Sequence, residues 1–309
     1  MNEAVESAGG TKLAQPREPR SRGPWRRAFD RFRRRPLAVT AFTILVAIFV
    51  VGALASVLAP YSYTQLDLNP MHLNVSPTLA GHHFFGTDQL GRDNFSRVLW
   101  GIRNSVVISL SVAAAATLVG TIIGALCGYF GGWIDSLLMR IVDLISSIPV
   151  LAAMFAAIVF FGRATPFKVG IVLVVYLWTS IARVIRGTFL QLRELEYIEA
   201  ARAAGASNLR IILRHLIPNA QGPLIAGATL LIGQAVLLEA TIDFFDYGAD
   251  SNERPSLGNL LASAVEYGFQ GYTFWWLYAF PAIFIVIMLV CVNFVGDSLD
   301  DALNPIVSR

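Results

Sequence analysis

The chain has 309 residues, 55% of them hydrophobic and only 15% charged, and its formal net charge is +3. A soluble domain of this size needs more polar surface, so a soluble globular protein is excluded. No GxxxxGK(S/T) run occurs, so the chain cannot cradle nucleotide phosphates itself. Cys127 and Cys291 each lie in an apolar run without a CxxC pair, which supports neither a disulfide framework nor a zinc site.

Residues 1–36 begin as a polar segment broken by Gly9, Gly10, Pro16, Pro19, Gly23 and Pro24. Arg26, Arg27, Arg31, Arg33, Arg34 and Arg35 then interleave with Trp25, Phe29 and Phe32, the pattern of an amphipathic helix lying at a membrane interface. Nucleic acid is the rival partner for a basic run, but a membrane span follows at once. That span is too long for a cleaved signal peptide.

Apolar runs long enough to cross a bilayer are expected at about 37–59, 105–129, 144–162, 168–186, 220–241 and 275–296. The expected organisation is therefore an interfacial N-terminal segment (1–36), a first span (37–59) and an outer loop (60–104). A five-helix core (105–296) and a C-terminal tail (297–309) follow. Gly120, Gly124 and Gly128 recur at spacing four and read first as a close helix–helix contact. Trp275 and Trp276 open the last span at the depth where aromatics favour the interface. Asp135, Arg140 and Asp143 are too crowded for mid-bilayer placement, so 131–143 reads as an extension of the third span, with Arg140 and Asp143 at i,i+3 spacing. With the N-terminus inside, inner segments hold 18 Lys and Arg and outer loops 6, which places both termini in the cytoplasm. Without residues 1–36 the bias is only 8 to 6.

The segment 194–219 carries most of the functional information. Residues 196–204 are strong helix formers, Gly205 permits a sharp turn, Ser207 can cap a second helix and Pro218 would end it. Leu209, Ile212, Leu213 and Leu216 recur at helical spacing, so one face of that second helix has something to bury.

Glu199-Ala200-Ala201, Gly205 and Pro218 resemble the EAA motif of ABC importer permeases. Phe85 to Arg97 (FGTDQLGRDNFSR) resembles a signature of the C-type permeases of dipeptide, oligopeptide and nickel importers. The closing segment, with Trp275-Trp276, Pro281, Asn293, Gly296-Asp297, Asp300 to Leu303 and Pro305, is similar to theirs too. The resemblance implies an all-α integral membrane protein with six spans and the type I importer permease (MetI-like) fold. It implies no catalysis, cofactor or metal in this chain. The implied partners are a homologous B-type permease, two ATPase subunits or one two-domain ATPase, an extracytoplasmic binding protein and membrane lipid. Glu199, Ala200, Ala201, Gly205, His215 and Pro218 would form the ATPase-coupling loop. His215 reads as a structural or ATPase-contacting residue, with a pH sensor as the rival.

Asp88, Arg92, Asp93 and Arg97 have two readings, a folded outer hairpin bracing the second span or a contact for the binding protein. Glu239 is the one acid embedded in a span, either functional or a helix–helix hydrogen bond. The related permeases usually follow it with a Ser-Phe-Leu-Gly-Leu-Gly-like run, where this chain has Asp243-Phe-Phe-Asp246-Tyr-Gly248. Glu239, Asp243 and Asp246 are thus candidates for the outer mouth of a translocation path. The departure points to a different cargo or a different fit to the binding protein. Peptides are the default cargo by resemblance, nickel and haem the alternatives. An ion-gradient transporter is the rival from another class.

Overall fold

The computed structural model describes residues 24–161, 165–245, 254–266 and 274–303. Helix α1 (Pro24–Arg33) leads into α2 (Pro36–Ala53) and the short α3 (Ala55–Leu58). The backbone leaves helical geometry at Leu54 (φ −89°, ψ 10°), so the first span is a helix with a break rather than one rod over 37–59. Helix α1 packs on the far end of the chain, and Arg35 Nη1 meets Asp301 Oδ2 at 2.5 Å.

A segment with two single 3₁₀ turns (Pro70–His72, Ala80–His82) precedes α4 (Asn94–Phe130). Asp93 caps this helix, its side chain accepting the Ser96 N–H at 2.7 Å. At 37 residues and 1.5 Å per residue α4 is about 55 Å long, well beyond the roughly 30 Å of hydrocarbon. It therefore begins far ahead of the expected start at 105.

Helices α5 (Gly132–Ser147) and α6 (Val150–Phe161) meet at an 85° bend, measured to Ala157. The reason lies at Pro149. The residue before a proline is driven out of the helical region, and Ile148 is extended (φ −86°, ψ 128°). The expected third span at 144–162 is thus a broken one. Among the described residues five continuous helices are long and apolar enough to cross a membrane, and the bent pair, counted as one span, makes six. The other continuous ones are α7 (Pro166–Leu192), α11 (Gln221–Phe244) and α13 (Trp275–Leu303). Helix α12 (Leu257–Glu266) lies in the expected outer loop before the last span and buries Leu257, Leu260 and Ala264. The last helix runs past 296, so the expected tail starts inside it.

The α4–α7 pair is the spine of the bundle. A Cβ on Gly120 would stand 2.6 Å from the Trp178 carbonyl oxygen, one on Gly124 2.6 Å from that of Ala182, and one on Gly128 2.5 Å from Phe189 Cβ. The glycine row is a seam where the two backbones touch. The main apolar core surrounds it, with Leu173, Ile181, Ile185 and Phe189 fully buried.

Two side-chain expectations change. Trp276 is buried, and its indole N–H donates to the Thr87 carbonyl at 3.2 Å, so it braces the segment before α4, whereas Trp275 is half-exposed. Asp143 pairs with Arg183 of α7 at 3.0 Å, a partner across the bundle that the i,i+3 spacing to Arg140 did not indicate.

Candidate functional site

Candidate residues gather at the two ends of the bundle. At one end, the connector between α7 and α11 forms α8 (Glu196–Ala203), a turn, α9 (Asn208–Ile211), a π turn (Ile212–Leu216) and α10 (Ile217–Asn219). Gly205 sits at φ +81°, where a Cβ is disfavoured, and its N–H reaches the Arg202 carbonyl at 3.0 Å. The Ser207 hydroxyl accepts the Arg210 N–H at 3.4 Å and opens the second helix. Pro218 does not stop that helix. Lacking an N–H, it fits the first turn of α10, and the break comes at Ala220 (φ −90°, ψ 3°).

The buried face of the connector also differs from the spacing argument. Ile198, Ile211 and Leu216 are fully buried, and Ile212 nearly so. Leu209 and Leu213 are instead 65% and 56% exposed, and Leu195 and Tyr197 also face outward. Ile211 was missed because the π turn shifts the register by about one residue. Tyr129 of α4 donates its hydroxyl to Asn208 Oδ1 at 2.8 Å and fixes the connector to the spine. Glu199, Ala200, Gly205 and Pro218 are exposed, Ala201 and His215 half-buried. The His215 ring centroid lies 6.4 Å from that of Tyr197, and its carbonyl accepts from Asn219 Nδ2 at 2.6 Å.

At the other end, Asp88, Arg92, Asp93 and Arg97 are all buried. Asp88 Oδ2 accepts Arg92 Nε at 2.6 Å and faces Arg97 Nη1 at 3.7 Å, while Oδ1 accepts the backbone N–H groups of Leu90 and Arg92. Asp93, besides capping α4, meets His83 Nδ1 at 2.9 Å. These charges are used within the chain and present little surface to another protein.

Beside this network, a cavity of about 470 Å³ opens between the start of α4, the end of α11 and the turn before α12. Glu239, Asp243, Trp100, Arg103, Asn104 and Arg254 are among its lining. Glu239 is fully buried, and its Oε1 accepts from Ser105 Oγ at 3.1 Å. Asp243 accepts a short hydrogen bond from Ser256 Oγ, and Ser256 is itself held by Asn259. Asp246 lies outside the described residues. Ser105, Ser256 and Arg254 escaped the sequence reading because a hydroxyl in an apolar run and an arginine in a loop carry no periodic signal. Among the described residues no group of His, Cys, Asp and Glu could hold a metal ion.

Comparison with known proteins decides the family. Residues 120–309 match the family described as "Binding-protein-dependent transport system inner membrane component". Residues 23–77 match the "N-terminal TM domain of oligopeptide transport permease C". The chain belongs to this family of transport permeases. The permease is 36% identical to the oligopeptide transport system permease protein OppC of Haemophilus influenzae, over 92% of this chain and 89% of the relative. It is 33% identical to the dipeptide transport system permease protein DppC of Bacillus subtilis, over 91% and 86%. A structure of the MetNI methionine ABC transporter in an inward-facing conformation shares the fold, with a TM-score of 0.52 at 20% identity, covering 67% of the permease and 96% of that chain. The permease is thus an all-helical, multi-pass membrane protein of the MetI-like fold.

Proposed function

We propose that this permease is the translocation subunit of an ATP-driven peptide importer. It pairs with a homologous permease to enclose the path and receives cargo from an extracytoplasmic binding protein. Separate ATPase subunits, or one two-domain ATPase, drive it through the 194–219 connector. The chain makes and breaks no covalent bonds.

The observation that carries this reading is the connector itself. Leu209 and Leu213 stand exposed on a short helix whose other side is anchored by Ile211, Ile212 and Leu216. An apolar face held rigidly outward is a docking element, and the left-handed Gly205 turn lets two short helices present it. Movement of a docked ATPase would pass through Tyr129–Asn208 to α4 and so to the spine. The arginine distribution supports a cytoplasmic connector and cytoplasmic termini. Glu239 and Asp243, at the opposite end, line the outer part of the path. The peptide permeases among the relatives support peptide cargo.

The test is uptake of a labelled tripeptide into proteoliposomes holding the complete complex and its binding protein. Uptake that requires ATP is expected. Uptake that proceeds without ATP on an imposed ion gradient would overturn the reading in favour of a secondary transporter.

A further inference from the structure

Helix α1 turns one face to the bundle and leaves another uncovered. Ala28 is buried, and Phe32 stands edge-on to Phe42 of α2, with ring centroids 6.1 Å apart. Arg26, Phe29 and Arg33 are exposed instead, Phe29 by 62%. Their spacings of three and four put them on one side of the helix. Arg34, in the turn that follows, is exposed as well. Arg26, Arg33 and Arg34 make no ion pair among the described residues, whereas Arg35 is taken up by Asp301.

The chain itself fixes where this face lies against the bilayer. Only Arg34 and Arg35 separate α1 from Pro36, where the first span begins. The turn is tight, the Arg34 and Arg35 N–H groups reaching the Arg31 and Phe32 carbonyls at 3.2 and 3.0 Å. Helix α2 has 18 residues and is about 27 Å long, so its first turn already stands at the edge of roughly 30 Å of hydrocarbon. Phe42 lies six residues into it, about 9 Å along the axis. Because Phe32 touches Phe42, α1 folds back beside the end of the span, at the depth of the headgroups. Leu37, at the same end of α2, is also largely exposed.

We propose that Arg26, Phe29, Arg33 and Arg34 form a docking surface for the anionic phospholipid headgroups of the leaflet that α1 meets. Three guanidinium groups without acidic partners make a positive patch, and each can take two phosphate oxygens through its planar fork. Clustered arginines beside a span draw acidic lipids in preference to neutral ones. Phe29 supplies an aromatic body that favours the boundary between headgroups and chains. The surface is also tied into the bundle. Arg35 and Asp301 join α1 to the last turn of α13, and a Cβ on Gly222, at the start of α11, would stand 3.3 Å from Leu303 Cβ in that same turn. Lipid held on α1 thus steadies the end of α13 beside the point where the connector enters α11. The proposal rests on membrane insertion alone and holds for either orientation and either driving force.

The experiment is competitive native mass spectrometry of the full-length, delipidated permease with phosphatidylglycerol and phosphatidylcholine of identical chains. A preference for phosphatidylglycerol of about tenfold or more is expected. The triple change Arg26→Gln, Arg33→Gln, Arg34→Gln should abolish that preference and leave phosphatidylcholine binding and the melting temperature unchanged. The corresponding triple change to Lys should keep most of it. Arg202→Gln, Arg210→Gln, Arg214→Gln removes the same charge from the exposed side of the connector and should leave the preference intact. Free sn-glycerol 3-phosphate, which carries the phosphate without the chains, should not compete. Equal binding of the two lipids by the unaltered permease would overturn the proposal. So would equal loss in both Gln variants, which marks diffuse net charge, or competition by the free phosphate, which marks a simple ion site. An α1 Gln variant that loses its preference only together with its melting temperature has structural arginines, and one that keeps its lipids but loses a co-purifying ATPase assigns the face to that subunit; either result overturns the proposal. None of these readouts uses ATP-dependent uptake, so failure of this site and failure of the importer reading are distinct results.

Discussion

Arg186 grips both carboxylate oxygens of Asp135, Nε on Oδ1 at 2.5 Å and Nη2 on Oδ2 at 2.6 Å. Asp135 stands near the start of α5 and Arg186 near the end of α7, so this fork fastens the broken span to the spine at the connector end. The bidentate geometry matches the planar guanidinium, which a lysine could not reproduce. Asp135→Asn should therefore lower the unfolding free energy of the solubilised permease by about 1–2 kcal/mol, the range for stranding one partner of a partly exposed charged pair. Arg186→Lys should recover little of it. Thermal melting of the single variants and of the Asp135→Arg, Arg186→Asp exchange measures this, and the exchange should melt above either of its component single changes.

The seam between α4 and α7 makes a sharper prediction, because two glycines in the same bundle differ completely in surroundings. A Cβ on Gly128 would lie 2.5 Å from Phe189 Cβ, whereas one on Gly187 would meet nothing within 4 Å. Gly128→Ala should destabilise by about 1–3 kcal/mol, since helix backbones must part. Gly187→Ala should be neutral or gain up to about 1 kcal/mol through reduced backbone freedom. Accumulation in membranes and melting temperature of the two variants, compared directly, check the contrast.

The spans were legible in the sequence because hydrocarbon thickness imposes a length on every apolar run. Their ends were not, since α4 and α7 continue as helices past the apolar runs, where hydropathy no longer marks them. The break in the third span was not read, because Pro149 was passed over inside an apolar run although the residue before a proline is driven out of helical geometry. At the connector, Gly205 and Ser207 were readable as turn and cap because each works locally. The buried face was not, because a π turn over Ile212–Leu216 moves Ile211 inward and Leu209 and Leu213 outward. Glu239 was visible as an acid in a span. Its partner Ser105 comes from 134 residues before it, and Ser256, the partner of Asp243, from the turn beyond α11, distances that no periodicity spans.

The segment before α4 contains an acid–base pair that sets a pH dependence. The His72 ring at 2.6 Å and the Asn69 backbone N–H hold the Asp67 carboxyl below its ordinary value. A group whose folded pKa is depressed contributes stability above its unfolded value, about 3.9, and loses that contribution as pH falls through the folded one. Melting curves of the wild type and Asp67→Asn should thus differ at neutral pH and converge below about pH 4. The difference should be small, because the pair is open to solvent.

The connector helix separates docking from folding within four residues. Leu213 is 56% exposed and Leu216 fully buried. Leu213→Asp places a charge in water and should leave the unfolding free energy of the isolated permease within about 0.5 kcal/mol of the wild type. The same charge on the proposed ATPase-facing surface must be desolvated when the complex forms, so ATPase co-purification and ATP-dependent uptake should fall by tenfold or more, equivalent to about 1.4 kcal/mol. Leu216→Asp buries an unpaired charge in the main apolar core, costs about 4 kcal/mol or more and should prevent accumulation of the permease altogether. If Leu213→Asp assembles and transports normally, the exposed face is not where the ATPase sits. Leu209→Asp then decides whether any part of this helix is in contact, because the two exposed leucines lie four positions apart, on one side of a helix.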